Sequence, residues 1–246
     1  MSDTWVIVVA AGGGARFGGA RPKQYADLAG APLLARTLDR LATLDAKAIV
    51  VALAPDDADF DALVGTRPGV EPLRRGGVTR AATVRNALAA LAGRCDDGDW
   101  VVVHDAARPC VPRDALARLA NELANDPVGG LLAVPLADTL KRAAPPDAPG
   151  GDGPPVPRPR VLGTEDREGL WLAQTPQMFH YRLLCAAYAR DGAREYTDDA
   201  QAVEALAATG ACAMPRLVVG SPQNIKVTFP SDLALAAAIL TVQAGA

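Results

Sequence analysis

The residues best suited to chemistry begin where a short apolar run ends. Ala10-Ala11-Gly12-Gly13-Gly14-Ala15-Arg16-Phe17-Gly18-Gly19 is a glycine-rich loop whose backbone N–H groups can approach phosphate oxygens without obstruction by side chains. The dinucleotide fingerprint from Gly12 would need a glycine where Phe17 stands, and the P-loop pattern lacks its lysine and hydroxyl residue. The loop carries Arg16 instead, with Lys23 seven residues later. Two fixed cations beside a nest of backbone donors suit a triphosphate whose charge must be neutralised during transfer, although each could equally be a solvated side chain. A second feature is Asp105, at the end of the run Trp100 to His104. A carboxylate there can hold magnesium against phosphate oxygens, or it can cap a turn. Arg108 can meet phosphate or pair with Asp105. The third is Gly76-Gly77-Val78-Thr79-Arg80-Ala81-Ala82-Thr83, two glycines opening a helix. Its backbone and the Thr83 hydroxyl can hold a base or sugar edge, with N-capping by Thr79 as the plainer alternative. Lys226, in Asn224-Ile225-Lys226-Val227-Thr228, sits on what reads as a short apolar strand and points at an anion or snorkels to water. His104 reads as a satisfied core histidine.

The elements that position these residues follow from periodicity. Trp5 to Ala10, Ala48 to Leu53, Trp100 to His104, Gly130 to Val134 and Pro215 to Val219 read as strands, several apolar at every position as in strands buried on both faces. Leucines at helical spacing fall between them: Leu34, Leu38 and Leu41, then Leu88 and Leu91 after Val84, then Leu116, Leu119 and Leu123. Strand alternating with helix implies an α/β fold, a Rossmann-like, mostly parallel sheet flanked by helices, with ligands beyond the carboxyl ends of the strands. From Ala143 to Arg160 the composition collapses to Pro, Gly, Ala and Asp, which reads as a loop, disordered in part, inserted in one domain spanning 1–246.

Composition narrows the class further. The net charge of -3 is dispersed, with no basic face for nucleic acid, and no apolar run reaches the ~20 residues needed to span a bilayer, so a cytoplasmic protein is expected. Cys95, Cys110, Cys185 and Cys212 have no metal-binding spacing and read as reduced core residues. With two histidines, a zinc site is not expected, and any metal should be a hard cation such as magnesium.

Taken in order, Ala10-Ala11-Gly12 with Arg16 and Lys23, Gly76-Gly77 with Arg80, His104 to Pro109, Asp138-Thr139-Leu140-Lys141, Thr175-Pro176-Gln177 and Asn224 to Thr228 resemble the 2-C-methyl-D-erythritol 4-phosphate cytidylyltransferase family along almost the whole chain. The resemblance implies CTP, 2-C-methyl-D-erythritol 4-phosphate and a divalent cation as partners, with magnesium near Asp105. It implies that Ala10, Ala11, Gly12, Gly13 and Gly14 cradle the triphosphate, Gly77, Thr83 and Ala106 complete the nucleotide site, and Arg16, Lys23 and Lys226 stabilise the transfer. Asp105, Thr139, Arg167 and Thr197 are implied to hold the acceptor. A homodimer built by an arm over 138–167 would place Arg167 in the neighbouring subunit's site. Val9, Val78 and Thr83 stand where the family commonly has proline, an acidic residue and serine. The competing readings are a sugar-1-phosphate nucleotidyltransferase using another nucleotide, a non-catalytic nucleotide-binding module, and a dinucleotide oxidoreductase, against which Phe17 argues.

Overall fold

The computed structural model describes residues 2–13, 17, 21–144, 160–190 and 195–245. They fall into two compact units, Met1–Ala133 with Ala173–Ala246, and Val134–Leu172. The chain order is β1 (Thr4–Ala10), β2 (Asp27–Leu28), β3 (Ala31–Pro32), α1 (Leu33–Leu41), β4 (Ala48–Leu53), α2 (Phe60–Leu63), β5 (Val70–Leu73), α3 (Arg80–Ala90), β6 (Trp100–Asp105), α4 (Arg113–Leu123) and β7 (Gly129–Pro135). There follow β8 (Leu140–Ala143), β9 (Val161–Glu165), β10 (Trp171–His180), α5 (Tyr181–Arg190), α6 (Asp199–Ala207), β11 (Arg216–Val219) and α7 (Asp232–Ala244).

The main sheet has seven strands in the order β11-β7-β10-β6-β1-β4-β5. β1 runs parallel to β4 and β6, β4 to β5, and β7 to β11, while β10 is antiparallel to β6. This is the expected mostly parallel α/β sheet. Alternation along β1 explains its uninterrupted apolar sequence, because both faces are covered. Trp5 and Ile7 pack with Val84 and Leu88 of α3 and Leu184 and Tyr188 of α5. Val6, Val8 and Ala10 pack on the other face with Leu34, Leu38 and Leu41 of α1 and Leu116, Leu119 and Leu123 of α4. Val6, Ile7 and Val8 are wholly buried, each contributing on the order of 1.5–3 kcal/mol. The consequence is a rigid centre, with β1 and β6 ending side by side at the Val9 and Asp105 pairing.

The segment around Lys226 is not the strand its apolar neighbours suggest. It forms no ladder, and its Val227 N–H instead donates to the Ala107 carbonyl at 2.8 Å. Pro222 and Pro230, which carry no N–H, bracket it and discourage continuous pairing. In the second unit β8 and β9 pair antiparallel, and the Ala144 N–H donates to the Arg160 carbonyl at 2.8 Å. Ala143 therefore ends a strand rather than opening the loop, and residues 145–159 of the expected disordered stretch lie outside the described residues. No helix among the described residues is long and apolar enough to cross a membrane.

Candidate active site

A cavity of about 300 Å³ opens beyond the carboxyl ends of β1 and β6. Ala10, Ala11, Gly12, Gly13, Lys23, Gly77, Thr83, Asp105, Ala106 and Lys226, all singled out in the sequence, line it together. Gly14 and Arg16 lie outside the described residues. Thr197 belongs to the same unit and is exposed, but does not line the cavity; its N–H and hydroxyl both donate to the Gln201 side-chain oxygen. Thr139 and Arg167 are exposed in the Val134–Leu172 unit.

The loop after β1 is held from two sides. The Gln24 side-chain amide, on the short turn Lys23–Tyr25, donates to the Ala10 carbonyl at 2.8 Å and is almost fully buried. Across the loop, the Gly76 N–H donates to the Leu53 carbonyl at 2.7 Å. A Cβ at Gly76 would overlap that of Ala11 and lie 2.6 Å from the Leu53 oxygen, so only glycine fits this approach. Lys23 lies at the cavity wall with its Nζ 3.0 Å from the Val227 carbonyl, which ties the first loop to the C-terminal segment.

The turn before α3 shows what its hydroxyls do. Thr79 caps α3, its side chain accepting from the Ala82 N–H at 3.1 Å. The Thr83 hydroxyl donates to the Thr79 carbonyl at 2.9 Å and accepts from the Gly77 N–H at 3.0 Å. Thr83 is thus committed to shaping the Gly77 turn, and what it presents to a ligand is the geometry of that turn.

The end of β6 gathers charge around one buried carboxylate, Asp105. Lys226 Nζ lies 2.7 Å from Asp105 Oδ2, Arg80 Nε lies 3.3 Å from Oδ1, and Arg108 Nε lies 3.8 Å from Oδ2. Burial alone would raise the Asp105 pKa, but Arg80, Lys226 and then Arg108 outweigh it and hold the carboxyl well below the usual carboxylate range. Arg108 also donates to the Asn224 carbonyl at 2.7 Å, so it shapes the turn and anchors the Lys226 segment. The Asn224 side-chain amide in turn donates to the Thr175 carbonyl at 2.8 Å. Beneath Asp105, the Thr175 hydroxyl accepts from the Asp105 N–H and meets His104 Nδ1, both at 3.0 Å, while His104 Nε2 faces the Arg108 carbonyl at 3.0 Å. His104 is fully buried, and burial pushes its pKa down to about 4. It is the satisfied core histidine that the sequence suggests.

Two partners of this cluster were not singled out by the sequence reading. Arg80, within a quoted motif but given no role, bridges Asp105 to Asp199. Asp199 itself carries no sequence signal beyond those of an acidic helix start. With Arg80, Arg108 and Lys226 set against Asp105 and Asp199, the cluster keeps one positive charge in excess. That excess beside the cavity favours anions.

The donor set also bears on a metal. Among the described residues no group of three or more His, Cys, Asp or Glu side chains could hold one, and Asp105 is the carboxylate lining the cavity. With the Asp105 oxygens already facing cations, this fits a hard ion whose ligands are mainly phosphate oxygens and water, with at most one carboxylate from the protein.

Backbone donors beside an excess of fixed positive charge suit a polyphosphate, and at the strand ends of a mostly parallel sheet they define a nucleotide-binding α/β protein of the nucleotidyltransferase class. Comparison with known proteins narrows that class. The family model described as IspD: 2-C-methyl-D-erythritol 4-phosphate cytidylyltransferase matches residues 4–242, and the chain belongs to this family. Proteins of that name from Laribacter hongkongensis and Dechloromonas aromatica are 52% and 50% identical to it, over 98% of this chain and 97% and 98% of theirs. A crystal structure of a 4-diphosphocytidyl-2C-methyl-D-erythritol synthase matches with a TM-score of 0.80 at 36% identity, covering 98% of this chain and 99% of the other.

Proposed function

We propose that the chain joins CTP to 2-C-methyl-D-erythritol 4-phosphate, giving 4-diphosphocytidyl-2-C-methyl-D-erythritol and pyrophosphate in isoprenoid precursor synthesis. The observation that carries this reading is the convergence of the glycine loop, Lys23, Asp105 and Lys226 on one cavity in a member of this family. A phosphate monoester is largely ionised at neutral pH, so an acceptor oxygen can attack the α-phosphorus directly with no covalent enzyme intermediate. That P–O bond forms as the bond from the α-phosphorus to the bridging oxygen breaks, and pyrophosphate leaves. The backbone of Ala10 to Gly14 cradles the triphosphate. Arg16 and Lys23 stabilise the charge that develops in transfer, and Lys226 holds nucleotide and acceptor in line.

Recognition of cytosine falls to the Gly77 turn. Its N–H is used by Thr83, while its carbonyl meets the Thr83 hydroxyl only at 3.4 Å and keeps a lone pair for an exocyclic amino group, which uracil lacks. Ala106 closes the nucleotide side, and Asp105, Thr139, Thr197 and Arg167 hold the acceptor. A divalent cation, magnesium by the oxygen character of the site, neutralises triphosphate charge when bound, and Asp105 with water is what the chain offers it.

A homodimer through the 138–167 arm, with Arg167 serving the neighbouring site, is part of the proposal. The exposed apolar side chains of Val161, Leu162, Leu170 and Leu172 support an interface on that unit. A cytoplasmic location is supported by four free cysteines. The test is pyrophosphate release with each of the four common nucleoside triphosphates, with and without methylerythritol phosphate and a divalent cation. Turnover is expected with CTP, acceptor and cation together; comparable product from UTP or from a sugar 1-phosphate overturns the assignment.

A further inference from the structure

Behind the cavity wall a chain of buried polar groups runs away from the substrates. Arg80, the first residue of α3, places Nη2 2.7 Å from Asp199 Oδ2, and the other oxygen of Asp199 accepts from the Tyr188 hydroxyl at 2.6 Å. Asp199 is 0% exposed and does not line the cavity. Nor is it there to cap α6: the N-cap is Asp198, whose side chain accepts from the Gln201 N–H at 2.9 Å. Gln177 of β10 fixes that helix start to the sheet, accepting from the Ala200 N–H at 2.7 Å and donating to Asp198 at 3.0 Å. A buried carboxylate is costly, and apolar replacements of buried ion pairs are often neutral or stabilising, so stability alone is a weak reason for it to be here.

The geometry gives another reason. A guanidinium with no other anion in reach would turn its fork to Asp105 and take both oxygens, the preferred bidentate arrangement. Here the shorter contact is to Asp199, and Asp105 receives from Arg80 one bond of 3.3 Å on Oδ1. Oδ2 is left for Lys226 at 2.7 Å. Burial disfavours the Arg80 charge, but Asp199 and then Asp105 outweigh it and raise its pKa, so the side chain stays a cation shared between two carboxylates.

We propose that Asp199, braced by Tyr188, is a positioning residue that holds Arg80 back from Asp105 and so keeps the Asp105 carboxylate available to Lys226 and the acceptor. This rests on the cytidylyltransferase reading, so wild-type turnover of CTP and methylerythritol phosphate is the first measurement. Its absence sinks that reading and overturns the present inference with it, whereas failure of the variants below overturns this inference alone.

Given that turnover, Asp199→Asn keeps the size and removes the charge. It should lower kcat by at least about tenfold while the KM for CTP moves less than about threefold, since the loss falls on alignment in the transition state. In an Arg80→Gln background the same change should cost less than about twofold, because a residue acting through Arg80 has nothing left to act on. Binding of CTP measured by calorimetry without acceptor shows that each variant still forms the nucleotide site. Should Asp199→Asn fail to fold, Tyr188→Phe decides, removing only the hydroxyl that braces Asp199; a fall in kcat of about two- to fivefold at unchanged CTP affinity is expected. Wild-type kcat in whichever of these variants folds, or an equal loss with and without Arg80, overturns the proposal.

Discussion

The two walls of the cavity are built on different physical terms. On one side the loop after β1 and the Gly77 turn offer main-chain groups, placed by close approaches that only glycine permits, by a hydrogen bond from Gln24 and by one that the Thr83 hydroxyl accepts. On the other, the end of β6 offers side-chain charge in a network in which the buried Asp105 faces three cations. A wall of backbone tolerates changes in side chains that preserve its shape. A wall of buried charge tolerates almost none, because each member is the counter-ion of another. The comparison teaches where to expect sensitivity: steep losses at the charged wall, mild ones at the backbone wall wherever the turn survives.

The largest effects should follow removal of the cavity's lysines. Lys226→Ala and Lys23→Ala are expected to lower kcat by about a hundredfold or more, as loss of transition-state charge stabilisation does. The dissociation constant for CTP, measured by calorimetry, should change much less. Loss of affinity in full proportion to rate would make these lysines ground-state binders and break the contrast between the walls.

Next comes acid sensitivity behind the charged wall. Burial holds the His104 pKa near about 4 in the fold, against about 6.5 in the unfolded chain. The unfolded state therefore binds the proton first as pH falls. The stability associated with neutral His104 is fully present above about pH 6.5 and is lost progressively down to about pH 4, amounting to about 1.5 kcal/mol between pH 6.5 and 5. Urea unfolding at both pH values measures it, with His104→Gln as the control that should lose this part of the slope. Equal slopes in the two proteins would mean that the imidazole is not buried neutral.

A third experiment asks whether the charged wall is completed by another subunit. Arg167→Ala and Lys226→Ala should each be nearly inactive alone, at about a hundredth of wild type or less. If Arg167 serves the neighbour, subunit exchange gives about half heterodimers, each with one intact site, and about a quarter of wild-type activity returns by the symmetry of the pairing. Exchange verified with differently tagged chains but without recovery would remove Arg167 from the neighbouring site.

How far sequence reaches differs between these regions for physical reasons. β1, β4, β6 and β7 are legible because strands covered on both faces are apolar almost throughout, whereas β11, mostly exposed at the edge of the sheet, is legible by its short β-branched run alone. β10 is not, since its buried stretch includes Gln174, Thr175 and Gln177, polar residues that bond the site rather than the core. β5 hides behind Pro72, tolerated where its strand ends the sheet. The glycine loop, Lys23 and Asp105 are legible because they follow strands, where ligands of such sheets bind. The contact of Arg80 with Asp199 is not, because 119 residues separate partners whose types alone would suit any surface pair. Lys226 is legible by its type, but its segment reads as a strand because the apolar neighbours there serve loop packing against the Ala107 turn.

The smallest effect, and the sharpest probe of the backbone wall, belongs to Thr83. Its hydroxyl bridges the Gly77 N–H and the Thr79 carbonyl, and neither bond uses its methyl group. Thr83→Ser keeps both bonds, so the KM for CTP and the preference for CTP over UTP should stay within about twofold of wild type. Thr83→Val keeps the shape and strands the Gly77 N–H without its partner, which should raise the KM for CTP by about threefold, the size of one modest hydrogen bond. Because valine adds no bulk, a rise there isolates the hydroxyl from packing. The preference between bases should weaken with it if the Gly77 carbonyl is the acceptor for the cytosine amino group. Should valine change the discrimination between CTP and UTP while leaving the KM for CTP untouched, the hydroxyl reads the base directly. The backbone wall would then depend on a side chain after all.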